Sequence, residues 1–109
     1  MKSQKIGDIL VITLEGVINV QSSLDLEVQL NLLFNEKSAK KVILDFSNVQ
    51  HISSSGLRVI VSFYKRVVSN DGKFAITCLN NNIKKIFKIV ELDTVFDIYD
   101  SVDEALSKI

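Results

Sequence analysis

Apolar residues recur along the chain in short continuous runs separated by segments of helical spacing. Ile9-Leu10-Val11-Ile12-Thr13-Leu14 is rich in β-branched residues and lies between Gly7-Asp8 and Glu15-Gly16, so it reads as a strand. Lys5-Ile6 reads as a short edge partner that turns through Gly7-Asp8, and Val17-Ile18-Asn19-Val20 as a short connection. Ser22, with Asp25 following it at capping-box spacing, marks a helix start. Leu24, Val28, Leu32 and Leu26, Leu30, Leu33 then recur at helical intervals to about Glu36.

Lys41-Val42-Ile43-Leu44-Asp45-Phe46 reads as a second strand, and its uninterrupted apolar centre predicts burial on both faces. Ser47 to Ile52 leads into Ser53-Ser54-Ser55-Gly56, where a long helix begins. Leu57, Ile60, Val61, Tyr64 and Val68 form its apolar stripe. Val59, Phe63 and Val67 form a second stripe beside it. Either this helix is buried on two sides, or the second stripe is a partner surface. Asn70-Asp71-Gly72 ends the helix. Lys73 to Leu79 reads as a third strand, and Asn80-Asn81-Asn82 caps a helix carrying Ile83, Ile86, Phe87 and Val90. Val95 to Tyr99 is a last short strand. Ser101 and Glu104 open a terminal helix with Ala105, Leu106 and Ile109. Strands alternating with helices predict an α/β fold with a mostly parallel or mixed sheet.

The length of 109 residues fits one domain, and 47% hydrophobic with 24% charged residues fits a folded one. A formal net charge of zero argues against a nucleic-acid partner and gives no electrostatic pull toward an anionic membrane. No apolar run approaches the roughly 20 residues that span a bilayer, so direct membrane insertion is not expected. The N-terminal residues Met1-Lys2-Ser3-Gln4-Lys5 carry no secretory signal pattern. Cys78 is the one cysteine, which rules out an intrachain disulfide and fits a reducing compartment. The expected location is the cytoplasm.

Catalytic chemistry finds little to work with. His51 is the one histidine and reads as a loop or edge residue, while Cys78 reads as a packed strand residue. No metal-ligand spacing and no phosphate-cradling glycine pattern occurs, so no cofactor is expected. Lys84, Lys85 and Lys88 read as a solvated helix face. The serine loop says more. Residues 53–55 sit where a helix presents unpaired N–H groups and the positive end of its dipole. One serine suffices as a cap, and three in a row exceed that need. A phosphate there would add about −1.5 to −2 charge. The residues alone favour plain capping over regulation.

The segment Asp45-Phe46-Ser47-Asn48-Val49-Gln50-His51-Ile52-Ser53-Ser54-Ser55-Gly56-Leu57-Arg58-Val59 resembles the signature of bacterial anti-sigma-factor antagonists, the STAS domain. Leu14-Glu15-Gly16-Val17-Ile18-Asn19 resembles the family segment before the first helix. Asn82 to Phe87 and Leu92-Asp93-Thr94-Val95-Phe96 resemble two later segments. The resemblance spans nearly the whole chain. It implies a single STAS-like domain over residues 1–109, with a mixed four- to five-stranded sheet flanked by about four helices.

The resemblance also implies a function. Such a domain is no enzyme. It binds an anti-sigma factor that is a serine kinase and so releases a sigma factor. Phosphorylation of one serine weakens the complex, and a serine phosphatase resets it. The motif places that serine at Ser54, with Asn19, Ser53, Ser55, Gly56 and Arg58 around it as partner-binding residues. Ser53 and Asn19 stand where the family carries acidic residues, and Arg58 stands where a small residue is common. Arg58 is one turn in from Ser54, positioned either to pair with a phosphate or an acidic partner surface, or to be a solvated charge. The alternative is an interaction subunit of a lipid-transport or signalling complex with the same fold and no phosphorylation cycle.

Overall fold

A computed structural model describes residues 1–109. Strands β1 (Lys2–Ile6) and β2 (Ile9–Ile18) form a hairpin. Helix α1 (Val20–Lys37) leads to β3 (Lys41–Ile52), and α2 (Ser54–Ser69) leads to β4 (Lys73–Thr77). Helix α3 (Asn81–Ile89), a 3-10 turn at Leu92–Thr94, β5 (Asp97–Tyr99) and α4 (Val102–Lys108) complete the chain. The five strands stand in the order β1-β2-β3-β4-β5, with β1 antiparallel to β2 and all other neighbours parallel. The α/β architecture with a mixed sheet and four helices matches the sequence expectation.

Strand order explains where the helices lie. Right-handed crossovers between sequentially adjacent parallel strands put every connecting helix on the same face. The main core accordingly gathers Leu10, Ile12, Leu14, Val42, Leu44, Phe46 and Ile76 beneath α1, α2 and α3. The alternate strand positions Ile9, Val11, Ile43 and Ala75 face the other way and pack on α4 through Ala105. Strand β3 is buried on both faces from Val42 to Phe46, as its apolar run predicts. An aromatic chain knits the main core. Phe63 meets Phe34 and Phe74 edge to face, and Phe96 joins Phe74 to Phe87.

Several elements differ from the sequence reading. Strand β2 continues through Val17 and Ile18, which the pattern assigns to a connection. The N-cap of α1 is Asn19, and Ser22 is its reciprocal partner. Asn19 Oδ1 accepts from the Ser22 N–H at 3.0 Å, and Ser22 Oγ accepts from the Asn19 N–H at 2.9 Å. Ser22 and Asp25 fit the same spacing, but Ser22 is already inside the helix. Leu26, Leu30 and Leu33 turn inward on α1, whereas Leu24, Val28 and Leu32 are exposed.

The second stripe of α2 is core: Val59, Phe63 and Val67 are buried, and of the first stripe Val68 is exposed. Arg66, on the same helix, donates to Asn31 and Asn35 of α1 and lies over the Phe34 ring. Strand β4 ends at Thr77, and Cys78 just beyond it adopts φ +63°, so it is not a mid-strand residue. Strand β5 starts at Asp97, with Val95 exposed and Phe96 buried outside it. Ser101 caps α4, but Glu104 accepts from the Asp100 N–H, leaving the box half formed.

Candidate functional site

Strands β2 and β3 finish together at the paired residues Ile18 and Ile52. Both chains then turn directly into helices. Asn19 caps α1, and Ser53 caps α2. The Ser53 N–H donates to the Ile18 carbonyl at 2.7 Å, which fixes the two helix starts side by side. Two positive dipole ends therefore share one edge of the molecule. Acidic residues are absent from the first turn of either helix.

The serines of the loop divide the work. Ser53 Oγ accepts from the Gly56 N–H at 3.2 Å, so Ser53 supplies the cap. Ser54 is the first helical residue, is exposed, and takes no part in that cap. Ser55 is half-buried. Gly56 is buried, and a Cβ at its position would stand 2.7 Å from Ile18 Cγ2 and 2.7 Å from Ile52 Cγ1. The strand-end pair Ile18 and Ile52 thus leaves room for glycine alone, which draws the α2 start tightly onto the sheet. Arg58 is exposed one turn further on, and none of the three ion pairs uses it.

A supporting residue escapes the sequence reading in part. Asn80 caps α3 through the Ile83 N–H, as expected from the Asn80-Asn81-Asn82 run. Its amide NH2 also donates to the Val49 and Gln50 carbonyls at 3.1 and 3.2 Å. This holds the last part of β3, where β4 has already ended, and so steadies the approach to Ser53. Nothing in the local sequence signals that second role, because it depends on where β3 and α3 meet.

Other reactive groups lie apart from this edge or are structural. His51 is exposed on β3, in register with Val17. Burial pushes the Cys78 thiol above its ordinary range, with Asp45 adding to the effect. The buried Asp45 carboxylate accepts from the Ser47 N–H at 2.9 Å. On β2, a hydrogen bond and the charge of the Met1 ammonium, 2.8 Å away, hold the Glu15 carboxyl below the usual range. No three His, Cys, Asp or Glu side chains come together in a way that could hold a metal ion. No helix is long and apolar enough to cross a membrane.

The profile of the STAS domain matches residues 1–105. The chain belongs to the STAS domain family. A Thermotoga neapolitana protein, provisionally named an anti-sigma factor antagonist, is 37% identical over 76 residues, covering 70% of this chain and 67% of its own. The crystal structure of an anti-sigma factor antagonist from Mycobacterium paratuberculosis superposes with a TM-score of 0.90 at 19% identity, over 99% of this chain and 91% of that one. Bacillus SpoIIAA, an anti-sigma factor antagonist, has been solved unphosphorylated and phosphorylated. The unphosphorylated form gives a TM-score of 0.83 at 14% identity, over 98% of this chain and 93% of its own. The phosphorylated form gives 0.75 at 14% identity, over 98% and 96%. At such identities the two solved proteins establish the shared STAS fold.

Proposed function

We propose that this STAS domain is an anti-sigma-factor antagonist that captures a serine-kinase anti-sigma factor and thereby frees a sigma factor. Its docking edge is the paired start of α1 and α2, with Asn19, Ser53, Ser54, Ser55, Gly56 and Arg58. Ser54 is the phosphoacceptor, and a serine phosphatase restores the free hydroxyl. The cytoplasm is where such partners meet.

One observation carries the reading: Ser53 fills the cap, so the exposed Ser54 hydroxyl is free to react. Transfer of the γ-phosphoryl group of ATP to Ser54 Oγ releases the hydroxyl proton and leaves ADP. The added charge of about −1.5 to −2 sits at a helix N-terminus, which accommodates it without unfolding the helix. A partner docked on the same edge meets the change directly. Asn19 and Ser53 contribute no negative charge of their own, so the phosphate is the dominant charge change at the edge. Arg58 is placed to meet either the phosphate or an acidic partner surface.

Incubation with the cognate kinase and ATP, followed by intact-mass and peptide mapping, tests the assignment. The expected product is one phosphate on Ser54, with none on the Ser54→Ala variant. Ser54→Asp is expected to weaken kinase binding at least tenfold with an unchanged circular dichroism spectrum. Phosphate on Ser53 or Ser55, or full affinity in Ser54→Asp, would overturn it.

A further inference from the structure

Helix α1 is apolar on two faces. Leu26, Leu30 and Leu33 enter the core, yet Val20, Leu24, Val28 and Leu32 stand 64%, 63%, 57% and 53% exposed in a single i, i+4 row. A helix covered on one side ordinarily keeps one apolar stripe and turns polar residues outward. The other exposed large hydrophobics are scattered or lie at element ends, whereas this row runs along most of an 18-residue helix.

We infer that the outer face of α1 is a dimerisation surface for a second copy of this chain. The argument is self-complementarity. The row reads the same from either side of Val28, with Leu24 and Leu32 equidistant from it. A two-fold axis at Val28 therefore lays Val28 beside its own counterpart and Leu24 beside Leu32 of the other copy, the isologous arrangement of a C2 dimer. Residues spaced by four form the ridges that interlock when helices cross at about 50°. The row is such a ridge.

The polar residues flanking the row obey the same symmetry. The axis that matches Leu24 with Leu32 sets Asp25 opposite Asn31 and Glu27 opposite Gln29. Each carboxylate thus faces an amide of the other copy, and neither faces its own like. Asn31 already turns its Oδ1 to Arg66, so its NH2 group is the part left to donate outward. The formal net charge of zero adds no long-range repulsion between copies.

This inference is independent of any phosphorylation at Ser54. Sedimentation velocity over a concentration series of the full chain tests it. The wild type is expected to shift from monomer to dimer. Val28→Glu, which sets two carboxylates against each other on the axis, is expected to raise the dimer dissociation constant at least tenfold. Val28 is exposed, so the variant keeps its fold, checked by circular dichroism. Val28→Cys is expected to form an intermolecular disulfide under mild oxidation, with the wild type and its Cys78 as the control. A wild type that stays monomeric to millimolar concentration overturns the inference, as does a Val28→Cys chain that does not cross-link. A monomeric wild type whose Val28→Glu variant loses kinase binding overturns it too, and gives the face to that partner.

Discussion

The Ser53 N–H donates to the Ile18 carbonyl at 2.7 Å, so the chain leaving β3 is bonded to the chain leaving β2 at the point where both become helices. Ser53 then uses its side chain for the cap and its backbone for the strand, which leaves neighbouring Ser54 without a structural duty.

That division predicts opposite outcomes for adjacent alanines. Ser53→Ala removes the acceptor for the Gly56 N–H and is expected to cost about 1 kcal/mol of stability. Ser54→Ala, at an exposed site outside the cap, is expected to stay within about 0.5 kcal/mol of wild type. Urea unfolding of the two variants side by side checks this. Equal losses would show that Ser54 also holds the fold.

Gly56→Ala brings a methyl group to 2.7 Å from Ile18 Cγ2 and Ile52 Cγ1. Both isoleucines are buried, so neither swings clear without disturbing the core. Overpacking of this kind costs about 1–3 kcal/mol. The better helix propensity of alanine returns about 1 kcal/mol at most. A lower urea midpoint at unchanged m-value is the expected result. A more stable variant would mean that the strand ends are looser than described.

The Cys78 thiol is expected to alkylate slowly. Its pKa is raised chiefly by burial, and the thiolate is the reactive form. At pH 8 iodoacetamide should modify the folded protein several-fold more slowly than the same protein in denaturant. Equal rates would place the sulfur in open solvent.

Glu15 gives a signed pH dependence. Its folded-state pKa lies below the ordinary value because the Met1 ammonium donates to it and attracts it. Such a group stabilises the fold above the unfolded-state pKa, and the benefit is lost as pH falls through the lower folded-state value. The stability difference between wild type and Glu15→Gln is therefore expected at neutral pH and should vanish in acid. The effect is small, because the carboxylate is open to solvent. A difference that grows in acid would contradict the assigned contact.

Local chemistry makes the α2 start legible: a serine run and a glycine before a long apolar periodicity admit few other structures. The start of α1 is less legible, because Asn19 with Ser22 and Ser22 with Asp25 satisfy the same spacing. The pairing of β2 with β3 decides between them, by carrying the strand to Ile18. Strand β3 runs past Phe46 for a similar reason. Its pairing with β4 stops at Asp45, while β2 accompanies it to Ile52, so the exposed Ser47, Asn48, Gln50 and His51 look like loop residues in isolation. On α1, two sets of apolar residues share helical periodicity, and only the position of the sheet selects Leu30 over Val28 as the buried one.

The sheet order, in which every strand lies beside its predecessor in the chain, has a consequence for biosynthesis. As the polypeptide leaves the ribosome from its amino end, each newly emerged strand finds its docking edge already built, and no segment waits for a distant partner still to be translated. Assembly can proceed by simple accretion, hairpin first, with the short β5 and α4 closing the far side last.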